Sequence, residues 1–263
     1  MRSSAKPLKT DMDYERRFGG IKRLYGHDGA DRLRAAHVCI VGLGGVGSWA
    51  AEAIARTGIG RITLIDLDMV AESNTNRQLQ ALSEVYGQAK VDVMANRIRL
   101  INPECNIERI EDFVTVDNVA SILRTEHTMV IDAIDQVRVK TSMVAHCGKQ
   151  KIPIVVAGAA GGQIDPSQIR VTDLSQTTQD PLLAKLRAQL RREHSYPRGI
   201  NKKFGVTAIY SLEPLRYPEK TDSCDSAGPN GLSCAGFGSS VCVTAAFGLA
   251  AASAAINHIA KAK

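Results

Sequence analysis

Gly42, Gly44, Gly45 and Gly47, the acids Asp66, Asp68 and Asp135, and the cations Arg77 and Lys90 are the residues whose types and spacing suit chemistry on a phosphate. The run Gly42-Leu-Gly44-Gly45-Val-Gly47 lets the backbone turn tightly and brings N–H groups close to phosphate oxygens. Asp66 follows about 20 residues later, where a carboxylate can accept from ribose hydroxyls in a nucleotide fold. Asn74, Arg77 and Gln78 belong to a polar, loop-like stretch from Ser73. Lys90 opens a helical pattern, a place where a cation opposes the helix dipole and so suggests a nearby anion. Asp66, Asp68 and Asp135 all fall at strand ends, where any of the three can supply a magnesium ligand. Arg, Lys and Mg2+ around a triphosphate suit attack at the α-phosphate, where developing negative charge must be stabilised. A dehydrogenase using NAD would need fewer cations there, and no hydride-site constellation of acid and substrate clamp is visible. Taken singly, Arg77 also reads as a loop cation, Lys90 as a solvated first-turn residue and Asp135 as a helix cap.

The elements that position these residues alternate between strand and helix. His37–Val41 is a short apolar, β-branched run, Ser48–Thr57 an Ala- and Ile-rich helix with Gly58 as a left-handed cap, and the stretch 61–66 a second strand ended by Asp66. Residues 88–101 place Val91, Met94, Ala95, Ile98 and Ile101 on one helical face, stopped by Asn102-Pro103. Strands over 105–113, 128–134 and 153–157 alternate with helices over 117–124 and 137–150. The expected fold is α/β and Rossmann-like, a doubly wound, mostly parallel sheet. Beyond Gly158 the pattern loosens into an elaborated C-terminal part. It holds a short strand at 169–172, a helix opened by Asp180-Pro181, a strand over 204–211 and a long Gly-, Ser- and Asp-rich loop over 221–238. We expect a disordered lead over 1–12 and one domain over 13–263, with a nucleotide half at about 35–157 and a substrate and dimer half at about 158–263.

A chain of 263 residues with 44% apolar content can bury a large core, and its charge of +6 permits an anionic partner without requiring one. Cys39, Cys105, Cys147, Cys224, Cys234 and Cys242 form no CxxC pair, which argues against a paired-spacing zinc site. With no secretory pattern at the N-terminus, a reducing, cytoplasmic setting is expected. The stretch 239–259 lacks Asp, Glu, Lys and Arg, but its Ala, Ser, Gly and Thr favour a core or dimer helix over membrane contact. From Lys185 to Lys203, seven cations stand against Glu193, with Tyr196 and Phe204 as candidate stacking partners. Such a run can track an RNA backbone, or equally be a solvated face.

The glycine loop, Asp66-Leu-Asp68, Ser73-Asn74-Thr-Asn-Arg77-Gln78, Lys90 and Asp132-Ala-Ile-Asp135 together resemble the ubiquitin-activating-enzyme superfamily, over roughly residues 14–260. Its small bacterial members, the molybdopterin and thiamine adenylyltransferases, adenylate a carboxylate with ATP and magnesium. The resemblance implies that the glycine loop holds phosphates and Asp66 the ribose. It also implies that Asn74, Arg77, Gln78 and Lys90 bind and polarise the triphosphate, and that Asp135 binds Mg2+. Within the superfamily the chain looks most like the tRNA threonylcarbamoyladenosine dehydratases. The cues are Arg17-Phe-Gly-Gly20, Gly161-Gly-Gln-Ile-Asp-Pro166, Thr172-Asp-Leu, the Gln179–Arg187 segment and Cys234-Ala-Gly-Phe-Gly238.

That likeness implies an ATP-dependent cyclisation of the threonylcarbamoyl group beside a tRNA anticodon, by a homodimer. An intramolecular attack needs no protein nucleophile, since the attacking group is already tethered. The chain departs from the sulfur-transferring relatives in lacking CxxC pairs, and Cys234 is the nearest counterpart of their acyl-accepting cysteine. It also departs at the arginine that relatives extend into the partner's ATP site: where they read Arg-Tyr-x-Arg, this chain has Arg17-Phe-Gly-Gly20, with Arg16, Arg17 and Arg23 as candidate substitutes. Two other readings stay open: adenylation of the C-terminal glycine of a small sulfur carrier, and a non-catalytic nucleotide-binding scaffold. Under either, a cysteine desulfurase or sulfur-acceptor protein is a candidate partner.

Overall fold

The computed structural model describes residues 13–199, 202–217 and 237–262. The expected lead over 1–12, most of the 221–238 loop, and Cys224 and Cys234 lie outside them.

Strand β1 (His37–Val41) is buried along its whole length because both of its faces are covered. Side chains alternate across a strand, so Val38 and Ile40 enter one apolar core while Cys39 and Val41 enter another. The same division recurs in β2 (Arg61–Ile65) and β4 (Met129–Asp132), which flank β1 in parallel. With β3 (Asn106–Ile110), β5 (Ile154–Ala157), β6 (Ile169–Asp173) and β7 (Thr207–Ser211) they form one seven-stranded sheet in the order β3-β2-β1-β4-β5-β7-β6. Only β6 runs antiparallel, against β7. The expected doubly wound, mostly parallel fold is therefore the one observed. Both halves of the chain feed the same sheet.

One face carries α1 (Tyr14–Ala35), α2 (Gly47–Arg56), α3 (Lys90–Ile101) and α7 (Val241–Lys261). The other carries α4 (Val119–Ile122), α5 (Val137–Gln150) and α6 (Pro181–Glu193). Gly58 takes φ +78 behind α2, as its capping position requires. Asp180 caps α6 by accepting from Leu183 N–H at 2.8 Å. The last helix is long and apolar enough to cross a membrane by length and composition. Yet Val243, Phe247, Ala251, Ala255 and Ile259 are buried in the core. Gly248 lets α7 lie against α2 so closely that a Cβ there would sit 2.4 Å from Val46 O.

Successive strands run outward from β1 in one direction as β2 and β3, and from β4 in the other as β5. The chain reverses between β1 and β4. Ligands of open α/β sheets settle at the carboxyl ends of the strands flanking that point.

Candidate functional site

A cleft of about 450 Å³ opens at the carboxyl ends of β1, β2, β4 and β5. Gly42, Gly44, Gly45, Asp66, Asp68, Arg77, Gln78, Lys90 and Asp135 all line it. Their sequence positions run from 42 to 135, and the switch in strand order brings them together.

The glycine loop is clamped before it reaches the cleft. Leu43 N–H donates to Asp66 Oδ2 at 2.6 Å, and Gln80 Nε2 donates to Leu43 O at 2.8 Å. Gly42 takes φ +88 with Ala133 and Ile134 against it, and a Cβ on Gly47 would lie 1.7 Å from Gly42 O. Gly47 therefore permits the loop's closure from behind rather than lining the cleft. No side chain caps the N-terminus of α2, and Gly44, Gly45 and Val46 face the cavity ahead of it. Exposed N–H groups with the positive end of a helix dipole behind them suit phosphate oxygens.

Lys90 is buried at the first position of α3. Its ammonium lies 2.7 Å from Asp68 Oδ2 and 3.7 Å from Asp66 Oδ1. The anion expected near it is this carboxylate pair, and the solvated reading of Lys90 is excluded. Arg77 is half-buried. Its guanidinium donates to Ser73 O at 2.7 Å, and its carbonyl accepts from the Trp49 indole at 3.1 Å and the Thr244 hydroxyl at 3.4 Å. The turn that carries it is held from below by Asn74, whose Oδ1 accepts from Ala71 N–H at 3.1 Å. Asn74 itself does not reach the cleft lining.

Asp135 is exposed on the cleft wall, in the turn between β4 and α5. It caps nothing: the N-cap of α5 is Gln136, without a side-chain bond. Below that turn Lys140 and Asp132 form a fully buried ion pair at 2.8 Å. On the far wall, Asp180 Oδ2 accepts from Ala159 N–H at 2.9 Å and fills the space a Gly158 side chain would take. Burial pushes the Asp180 carboxyl above the usual range, against the pull of the Leu183 and Ala159 N–H groups.

The cleft has two unlike ends. Beside β2 it carries Asp66, Asp68, Arg77 and Lys90, with Asp112 and Phe113 from the end of β3. Beside β5 it is lined by Gly158–Gly161, Pro181, Leu215 and Phe237, none of them charged. Sequence reasoning did not select Asp112, Phe113, Thr244 or Gln80. Of these, only Asp112 and Phe113 carried a signal, their place at the carboxyl end of an expected strand.

The basic run is only partly free for a partner. Arg187 is engaged with the Thr177 hydroxyl, and Arg191 stacks over Phe204 at 5.2 Å. Tyr196 and Phe204, the suggested stacking pair, pack edge to face on each other and against the core, which leaves each ring only partly exposed. Lys185, Arg192, Arg198, Lys202 and Lys203 remain exposed. At the N-terminus, Arg17 donates to Leu100 O and Ile101 O at the end of α3.

Comparison with known proteins agrees with this geometry. The tRNA threonylcarbamoyladenosine dehydratase of Escherichia coli (strain K12) is 51% identical over 252 residues, 94% of each chain. The Haemophilus influenzae protein of the same name is 47% identical over 252 residues, 95% of this chain and 96% of that one. Crystal structures of the E. coli tRNA N6-threonylcarbamoyladenosine dehydratase with ATP and with AMP superpose at a TM-score of 0.84, with 50% identity over 94% of each chain. The ThiF family model matches residues 14–263. With that match running from the first turn of α1 to the last residue, the chain belongs to the ThiF family.

Proposed function

We propose that this chain is an ATP-dependent tRNA threonylcarbamoyladenosine dehydratase that closes the threonylcarbamoyl group into a ring by way of a carboxyl adenylate. One observation carries the reading. A charged, glycine-walled phosphate end that holds Arg77 and Lys90 and an uncharged acceptor end share one cleft, with Asp135 on its wall. Similarity at about half identity to dehydratases over nearly the full length supports it.

In this reading the glycine-loop N–H groups and Gln78 hold the phosphates, and Asp66 orients both the loop and the ribose. A substrate carboxylate oxygen attacks the α-phosphorus, and the P–O bond to pyrophosphate breaks. Arg77 and Lys90 offset the charge that gathers on the phosphoryl oxygens. A tethered atom of the carbamoyl group then attacks the acyl carbon, AMP leaves with the original carboxylate oxygen, and a proton is lost. Holding both partners in one cleft removes the entropy cost of their encounter.

Asp135 fits a magnesium ion of the kind that shares its ligands with phosphates, because its carboxylate is exposed on the wall of the cleft. Bound there, Mg2+ would neutralise phosphate charge. A homodimer belongs to the same reading and is consistent with Val241 and Leu249 left exposed on α7. Wild-type protein should release AMP only with modified tRNA, and Asp135→Ala should abolish that release. Undiminished AMP formation in the variant would remove Asp135 from the mechanism. The absence of CxxC pairs disfavours a sulfur-carrier acceptor.

A further inference from the structure

We propose that Tyr217 and Phe237 form a stacking platform for an unstacked purine base at the acceptor end of the cleft, and that this base is the one bearing the carboxylate. The inference rests on the function proposed above.

The two rings stand 5.3 Å apart between centroids and are tilted by 54°. Phe237 lines the cleft, whereas Tyr217 is 74% exposed, an unusual state for a large aromatic side chain unless something covers it. The pair is mounted on a built support rather than on a lone loop. Gly162 N–H donates to Gly238 O at 2.8 Å, and Arg216 N–H donates to Gly162 O at 2.8 Å. Gly162 takes φ +72, and a Cβ there would lie 3.1 Å from both the Phe237 ring and Arg216 O. Glu213 is buried and accepts from Ile164 N–H at 2.9 Å and Asp165 N–H at 2.8 Å, while holding Arg216 at 3.2 Å. Arg216 keeps 63% of its side chain exposed beside the platform, where a backbone phosphate would pass.

The location follows from the sheet. Gly162 extends the turn that leaves β5, so the platform stands across β1 and β4 from Lys90 and Asp66. A carboxylate linked by a few bonds to the exocyclic nitrogen of adenine can reach the α-phosphate only if its base waits at that end. The base must first leave the stack of its RNA loop, and aromatic side chains commonly replace the stacking it loses. No other ring among the described residues is so placed. Tyr196 and Phe204 are packed on each other, and Phe113 lies at the end of β3, beside the opposite end of the cleft.

The test uses the full chain with tRNA carrying threonylcarbamoyladenosine, measuring KM for tRNA and, separately, Kd for a non-hydrolysable ATP analogue. Tyr217→Ala should raise KM for tRNA about tenfold, and Tyr217→Leu should do the same, since stacking needs a π face. ATP-analogue affinity and the thermal midpoint should stay at wild-type values, and Tyr217→Phe should restore KM to within about twofold. An unchanged KM in Tyr217→Ala, or full function in Tyr217→Leu, would overturn the platform. Equal loss of ATP-analogue binding would assign the rings to the nucleotide's own adenine and overturn it as well. If the wild-type protein forms no cyclic nucleoside at all, the proposed function fails first, which is a separate result.

Discussion

Lys140 Nζ lies 2.8 Å from Asp132 Oδ1, and neither side chain has any exposed surface. The pair ties the end of β4 to the beginning of α5 across the turn Ala133–Gln136, which lines the cleft and carries Asp135. Asp132 Oδ1 also accepts from Ile134 N–H at 3.2 Å, inside that turn. Breaking a buried pair by removing one partner leaves an uncompensated charge. Lys140→Met should therefore cost about 3–5 kcal/mol of stability in urea unfolding, and adding Asp132→Asn should recover much of it. A loss below about 1 kcal/mol, the scale of an exposed pair, would show that the pair does not hold the turn.

Lys90 and Arg77 should act on the rate more than on binding. Their charges are positioned at the phosphate end and matter most when negative charge develops on the α-phosphate. Each alanine variant should lower kcat for AMP formation by about 10²–10³-fold, with a smaller change in ATP affinity. Single-turnover measurements beside equilibrium binding separate the two. A pure loss of affinity at unchanged kcat would reduce both residues to ground-state binders.

At the amino end of β1, opposite the cleft, His37 is buried with His127 packed edge to face at 4.5 Å. Burial, then the neighbouring His127 and Arg61, lowers the His37 pKa from 6.5 to about 4. The unfolded chain then takes up a proton at His37 before the folded one does. His37's contribution to stability is complete above pH 6.5 and is lost as pH falls from 6.5 to about 4. The loss should approach about 3 kcal/mol for this residue, and His37→Asn should flatten the profile by that amount over this window. Parallel profiles in the two proteins would contradict the assignment.

The exposed cations give an independent test of the RNA partner. Arg192, Arg198 and Lys202 point to solvent, whereas Arg191 is packed on Phe204. Reversing charge at the three exposed positions should weaken tRNA binding by at least tenfold at low salt and lessen its salt dependence, with ATP binding retained. Equal tRNA affinity at all salt concentrations would remove this face from the interface.

The strongly patterned half of the fold was readable from the chain. The glycine run, the buried strand before it and the helix after it follow directly from residue types. The α5 boundaries, Val137–Gln150, came out as expected. Elsewhere the ends shifted: the strand expected over 105–113 closes at Ile110, where its pairing with β2 ends at Ile65. Lys90 had two readings because a first-turn lysine is usually solvated, and only the fold brings Asp66 and Asp68 under it. Lys140 escaped notice for a similar reason. One lysine in an amphipathic helix gives no sign of burial until its partner, eight residues earlier, is known to end a central strand. The packing of Tyr196 on Phe204 was not legible either, because local sequence does not report which rings the core will draw in.

The central claim is that the carboxylate of the modified nucleoside attacks the α-phosphate. Its most direct test is turnover with tRNA whose threonylcarbamoyl carboxylate carries a heavy-oxygen label. The nucleoside should lose one water per AMP formed, and the AMP should carry one labelled oxygen. Cyclised nucleoside accompanied by unlabelled AMP, or by ADP and phosphate in place of AMP, would contradict the account.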